Sequence, residues 1–308
     1  MRSSIQRQRL TRRHLIAAPA LSPAFAAQPV GKAPVVNGAE HAWVLYDKRF
    51  PIDPDVATCT GNLPKYEYSA EQILADMRTH HVDHVVISHV CYYGRDNRYP
   101  AHVLKTYPGK FAAVGLLVGY RLFKPDDKEN AGRLERLIKD DKFIGLRLSP
   151  YYDPDVKWLN DPVCYPLWKK AEELGGTFNL FMRPHQIPQV ADMAARFPGV
   201  NVVIDHMAMI DISRPASEGI EPLTGLAKYP NVYARTSLHN PSKTKDLPFR
   251  DVWPYLRKLY DAFGPKRLVY ANFYELTIMK EMIPFFSAED KEWILGRTAH
   301  RLYGFGRV

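Results

Sequence analysis

Histidine, arginine and acidic side chains recur at one kind of place in this 308-residue chain, at or just beyond short apolar runs. His41 comes shortly after Val35-Val36, His89 after Val85-Val86-Ile87-Ser88, and Asp205-His206 after Val202-Val203-Ile204. An imidazole can move protons or polarise a carbonyl near neutral pH. One such histidine alone would be read as a hydrogen-bonded structural residue. Three of the 11 at the same topological place point to chemistry. Arg147 and Arg183 also follow apolar cores. A guanidinium there is costly unless it meets a carboxylate, either the protein's own or a ligand's, and its planar fork suits a carboxylate of either origin. Asp205 could orient the His206 imidazole, but adjacent strand residues face opposite ways, which directs Asp205 toward the layer between strands and helices. Glu275 is a further candidate base, and Ser88, Tyr93, Trp43 and Phe273 are candidate lining residues.

These residues need elements that deliver them to one mouth. Val202-Val203-Ile204 has the unbroken branched character of a strand covered on both faces, as in a parallel sheet. Equivalent runs are expected at Val35–Tyr46, Val85–Ile87, Phe111–Val118, Ile144–Ser149, Thr177–Phe181, Val232–Arg235 and Leu268–Tyr270. Helical stretches separate nearly all of them. Ser69 offers an N-cap before Ile73, Leu74 and Met77, and Gly175-Gly176 stops the helix that ends at Leu174. Eight strand-helix units without a long pause predict a single-domain (β/α)8 TIM barrel over residues 35–308, with working groups at the C-terminal ends of its strands. No glycine-rich phosphate fingerprint follows the first strand, which speaks against a dinucleotide-binding open sheet.

The net charge of +9 is concentrated in the leader. Residues 1–27 carry five arginines and no acid, leaving 37 basic against 33 acidic residues in the remainder, with no long basic run to engage nucleic acid. Thr11-Arg12-Arg13-His14-Leu15-Ile16, then an apolar stretch and Ala24-Phe25-Ala26, has the order of a twin-arginine export signal with a small-residue cleavage site. The stretch is broken by Pro19 and Pro23 and is too short to span a bilayer. Residues 1–27 are thus expected to be a signal peptide read by export machinery and 28–34 a linker, with the mature chain periplasmic or secreted. Cys59, Cys91 and Cys164 contain no C-x-x-C pair, arguing against a disulfide framework or a zinc-cysteine site. They are expected to be small buried hydrophobes.

The run His41-Ala-Trp43-Val-Leu-Tyr-Asp-Lys-Arg49-Phe50-Pro51, together with Tyr93-Gly-Arg-Asp96-Asn97-Arg98-Tyr99, Gly145-Leu-Arg147-Leu-Ser149, Arg183-Pro184 and Ile204-Asp205-His206-Met207, resembles the amidohydrolase-related TIM-barrel hydrolases. The branch it is most similar to contains lactonases such as 2-pyrone-4,6-dicarboxylate hydrolase, and the resemblance spans about residues 35–303. It implies hydrolysis of a lactone or similar cyclic ester, in some relatives without metal. Two departures stand out. The family opens with Asp-x-His-x-His, whose two histidines can bind a divalent metal, but here the five positions read Ala39-Glu40-His41-Ala42-Trp43. Its last strand ends in Gly-Ser/Thr-Asp, whereas this chain has Ala271-Asn272-Phe273, so Phe273 stands where the family's water-activating aspartate belongs.

Two expectations follow. The first is an exported hydrolase without a cofactor, its divalent-metal site degenerate though open to residual binding. Its substrate is a small anionic molecule, a lactone or other cyclic ester bearing a carboxylate. His41, His206 and Glu275 would supply catalysis, and Arg147, Arg183, Ser88, His89, Tyr93, Trp43 and Phe273 the binding surface. The second is a catalytically silent barrel that keeps its pocket for small-molecule binding.

Overall fold

The computed structural model describes residues 33–53, 64–117, 123–153, 155 and 157–306. The expected leader, most of the linker, Cys59 and Val118 lie outside them.

Eight parallel strands form one sheet in sequence order. They are β1 (Val36–Glu40), β2 (His84–Ser88), β3 (Phe111–Gly115), β4 (Gly145–Leu148), β5 (Thr177–Leu180), β6 (Asn201–Ile204), β7 (Val232–Arg235) and β8 (Leu268–Val269). The sheet curls into a nearly closed TIM barrel. At its seam the Gly38 N–H donates to the Tyr270 carbonyl at 2.9 Å. A Cβ on Gly38 would lie 2.3 Å from Val269 Cγ1 and 2.7 Å from the Tyr270 oxygen, so glycine is what permits β1 to approach β8.

The helices follow from local signals. Helix α1 (Ala70–His80) starts at Ser69, whose Oγ accepts the Gln72 amide while the Gln72 side chain accepts the Ser69 amide, a capping box. Its apolar face is Ala70, Ile73 and Met77. Helices α2 (Arg98–Thr106), α3 (Asn130–Lys139), α4 (Tyr165–Leu174), α5 (Ile187–Arg196), α6 (Ile220–Gly225) and α7 (Trp253–Phe263) follow strands β2 to β7 in turn. Gly175 ends α4 in the left-handed conformation, φ 65°. The closing segment is α8 (Ala288–Glu292), a π-helical turn over Trp293–Arg297, and α9 (Thr298–Leu302).

Two apolar clusters fill the molecule. The larger lies between strands and helices and includes Val85, Ile87, Leu146, Leu148, Phe178, Ile204 and Leu268. The smaller gathers Val36, Val86, Ala112, Val203 and Val269, from five strands, against Ala299, Tyr303 and Phe305. The C-terminal segment therefore plugs the N-terminal end of the barrel.

Two expectations are corrected here. Strand β1 stops at Glu40 instead of running to Tyr46, because the register slips between Asn37 and Glu40 in a bulge and the chain then leaves the sheet. Cys91 takes part in a disulfide, so it is not a plain buried thiol. Spacing alone, with no C-x-x-C pair, could not reveal that bond. Cys164 is free and buried, its Sγ donating to the Trp158 carbonyl.

Candidate active site

The bulge in β1 decides where the first histidine points. Asn37 pairs with Val85 and Glu40 with Ile87, residues whose side chains lie in the outer layer. One extra residue between them turns both Asn37 and Glu40 outward, joined by a 2.8 Å hydrogen bond, and leaves the next residue, His41, for the interior. The His41 Nδ1–H donates to the Ser88 carbonyl at 2.5 Å. That bond sets the tautomer and leaves Nε2 as the ring atom with a lone pair.

Asp205 and His206 reach the same space by a different device. Asp205 hydrogen-bonds Arg147 on β4 (Nε to Oδ2, 3.2 Å) and Arg235 on β7 (Nη1 to Oδ1, 2.6 Å). Strands β4 and β6 are not neighbours, so the bond to Arg147 crosses the lumen. Asp205 thus faces the barrel interior, correcting its expected place in the strand-helix layer. Alternation holds through Ile204, which packs outward, and places Asp205 inside. It then fails, because His206, Met207, Ala208 and Met209 all have positive φ, between 48° and 55°. This left-handed turn brings the His206 imidazole back toward the group that Asp205 joins. Its ring meets Phe181 edge-on at 5.8 Å, and Arg147 lies over the same Phe181 ring at 4.8 Å.

The electrostatics are those of a buried, cationic cluster. Asp205 and Arg235 are fully buried and Arg147 is 8% exposed. Burial alone would raise the Asp205 pKa, but Arg235 and then Arg147 hold it below the ordinary carboxylate value. Burial, followed by the nearby Arg147 charge, drives His41 down to about 3. Burial also lowers His206 to about 4; Asp205 opposes the shift, while Arg235 and Arg147 add to it. Both imidazoles are therefore neutral at physiological pH and able to accept a proton. Arg147 commits Nε to Asp205, and among the described residues neither of its terminal nitrogens has a hydrogen-bond partner.

The remaining candidates divide by what they touch. Ser88 is buried, and its Oγ has no hydrogen-bond partner among the described residues. His89 is fully buried, its Nε2–H donating to the Asp96 carbonyl and its ring stacked on Tyr93 at 5.6 Å. The Tyr93 hydroxyl in turn holds the Val44 backbone. Trp43 donates from Nε1 to the Tyr66 carbonyl and packs among Tyr66, Tyr68 and Tyr92. Arg183 donates from Nε to the Tyr151 carbonyl and lies over the Tyr151 ring at 4.2 Å. Tyr151 stacks on Phe181 at 4.4 Å, so Arg183, Tyr151, Phe181 and Arg147 form a succession of stacked contacts. Arg183 also lines a 480 Å³ surface cavity with Met209, Asp211 and Arg214.

Phe273 packs its ring on His80 of α1 at 5.5 Å. Glu275 is fully buried, and its Oε1 accepts the backbone amides of Leu238 and His239, both at 2.9 Å, while Oε2 has no partner among the described residues. Burial raises its pKa to about 7, against the pull of those amides, and burial likewise raises Glu40 to about 7. The aromatic links Tyr151 and Phe181 escaped the sequence reading. The only available signal was an aromatic at the end of an apolar run.

The residues present do not fit the family's metal site. Trp43 brings no ligand at the second histidine position, and Phe273 puts a ring where the water-activating carboxylate would stand. Among the described residues no group of three His, Cys, Asp or Glu side chains could hold a metal ion. No described helix is long and apolar enough to cross a membrane.

Known proteins share this frame. The chain is 30% identical over 163 residues to the L-fucono-1,5-lactonase of Burkholderia ambifaria, covering 52% of this chain and 54% of that protein. The match thus spans about half the length of that relative. A candidate 2-pyrone-4,6-dicarboxylic acid hydrolase from Pseudomonas putida superimposes with a TM-score of 0.69 at 21% identity, covering 89% of this chain and 99% of that one. A second candidate of the same kind, from Acinetobacter baumannii with citric acid bound, gives 0.70 at 15% identity, covering 88% and 99%. The amidohydrolase family model matches residues 41–305, nearly the whole barrel. The chain belongs to the amidohydrolase family of barrel hydrolases.

Proposed function

We propose that this protein is an exported hydrolase that opens a lactone or other cyclic ester bearing a carboxylate, without a catalytic metal. The observation that carries the reading is Arg147. Asp205 holds its Nε, its terminal nitrogens have no partner among the described residues, and it lies within electrostatic reach of two neutral histidines. The free edge holds the substrate carboxylate in a dry setting where a charge-assisted bond is strong. Neutral His206 accepts a proton from the attacking water and, as the imidazolium so formed, returns it to the leaving ring oxygen, while the Nε2 lone pair of His41 accepts a hydrogen bond that orients that water. Neutralisation of Arg147 by the bound anion removes one of the charges that depress both imidazoles, so the histidines become better bases once substrate is present. Metal independence is supported by the shortage of donors around His41. A lactone substrate is supported by the lactonase relative, and an anionic ligand by the citric acid in the Acinetobacter neighbour. Export is supported by Arg12-Arg13 in the leader and by the disulfide at Cys91, a bond that persists in oxidising compartments.

A second reading, a binding barrel without turnover, is favoured by Phe273. That ring against His80 leaves the usual base position without a carboxylate, and Glu275 is occupied with the β7 loop.

A panel of pyrone carboxylates and of aldonic and uronic lactones, assayed with and without chelator, separates these. The expected result is turnover that survives chelation and falls roughly 100-fold in His206→Asn. Turnover lost on chelation and restored by zinc overturns metal independence. Carboxylate binding with no turnover on any lactone selects the binding barrel.

A further inference from the structure

We infer that Arg235 and Tyr303 are positioning residues for the anion-binding edge of Arg147, acting on it through Asp205. The inference rests on the role of Arg147 proposed above and extends the site to the opposite end of the barrel. Four side chains make the connection. Tyr303, just beyond α9, donates its hydroxyl to Asn179 Oδ1 at 3.2 Å and accepts from Arg235 Nη2 at 3.3 Å. Arg235 Nη1 donates to Asp205 Oδ1 at 2.6 Å, and Asp205 Oδ2 accepts from Arg147 Nε at 3.2 Å. Arg235, Tyr303 and Asp205 have at most 2% of their surface exposed, so none of the three is open to a ligand. Among the described residues, the hydrogen-bonded route from Tyr303 and Arg235 through Asp205 leads to Arg147.

The arrangement has a physical logic. One buried carboxylate is shared by two guanidinium groups, leaving one uncompensated positive charge in the lumen. A lone Asp205–Arg147 pair would be neutral, and Arg147 would be free to turn and take the carboxylate with its whole fork. Arg235 occupies Oδ1 by the shorter bond and leaves only Oδ2 for Arg147. Arg147 is thereby held by Nε, the ring of Phe181 steadies the guanidinium plane, and the terminal nitrogens stay available. Tyr303 fixes Arg235 in turn. A segment whose apolar residues plug the barrel thus also sets the geometry of the site above it.

Isothermal titration of the full chain with citrate tests this, with circular dichroism and melting as controls for folding. Wild type binds, and Arg147→Met abolishes binding. Tyr303→Phe, a change of one hydroxyl, weakens citrate binding several-fold, and Arg235→Met weakens it about tenfold or more, the scale on which supporting residues act on a site. Arg235→Lys, which keeps the charge and can reach Asp205 but cannot bridge to Tyr303, recovers part of the loss. Asp205→Asn separates positioning from charge. It makes the lumen more positive, so charge alone predicts tighter citrate binding, whereas positioning predicts weaker binding. If Asp205→Asn fails to fold, Tyr303→Phe decides the matter alone. Wild-type binding that Arg147→Met destroys and Tyr303→Phe leaves unchanged overturns this inference and leaves the Arg147 reading standing, as does tighter binding by Asp205→Asn. Absence of citrate binding by the wild type, or its persistence in Arg147→Met, overturns both.

Discussion

At the residue scale, the buried carboxyls outside the lumen and the buried histidines work in opposite directions with pH. Glu275 titrates near 7 in the folded protein and near the ordinary glutamate value when unfolded, so the folded state binds its proton more tightly. The stability this provides is complete below the unfolded pKa and is lost as pH rises through about 7. Replacing it with glutamine keeps an acceptor for the Leu238 and His239 amides and removes the titration. Glu275→Gln is expected to flatten the decline of stability between pH 5 and 8, by an amount on the order of 3 kcal/mol. Urea unfolding at a series of pH values measures this, and a decline as steep as wild type would show that Glu275 does not titrate in that range. His41, His89 and His206 behave oppositely, because burial depresses each. Their contribution is present above the unfolded histidine pKa and is lost as pH falls toward 4, since the unfolded chain takes up those protons first.

At the scale of elements, two backbone irregularities aim the site, and each gives a stability prediction. The β1–β8 seam depends on Gly38, where a methyl group would strike Val269 and the Tyr270 carbonyl. Gly38→Ala is expected to force the strands apart and cost about 1–3 kcal/mol, the usual range for overpacking, visible as a lower denaturation midpoint. An unchanged midpoint would mean that the seam carries little of the barrel's stability. The left-handed turn at His206–Met209 is built without a single glycine, although each non-glycine residue there is disfavoured by about 1–2 kcal/mol. Ala208 is fully buried in the turn. Ala208→Gly is expected to raise stability by about 1 kcal/mol, or roughly 2 °C for a chain of this size. A lower melting temperature would show that the turn carries no relievable strain.

At the scale of the whole molecule, residues Ala33–Val308 form one compact unit. The leader's five arginines and its proline-broken apolar stretch give it little to contribute to a core. Deletion of residues 1–27 is expected to leave the melting temperature within about 2 °C, the scale of a change below 1 kcal/mol. A larger drop would make the leader structural and remove the case for a cleaved signal. The plug formed by Ala299, Tyr303 and Phe305 predicts the opposite for the other end of the chain, where truncation before α9 should prevent folding.

The sequence by itself determined the architecture. Apolar strands alternate eight times with amphipathic stretches, and the capping box at Ser69–Gln72 and the stop at Gly175 mark boundaries by rules that act over a few residues. It also put His41, Arg147 and Asp205-His206 at or near strand ends, because strand ends can be read from where apolar runs stop. Only the tertiary structure decided where those side chains point. A bulge turns His41 inward, and a positive-φ turn returns His206 to the same space as Asp205. The bulge contains Gly38, but a lone glycine does not say which way the next histidine turns, and the His206–Met209 turn carries no glycine at all. The sharing of Asp205 between Arg147 and Arg235, residues 58 and 30 positions away, was likewise beyond local reasoning. Alternation within a strand fixes a face only while the backbone stays regular, and the site lies where it does not.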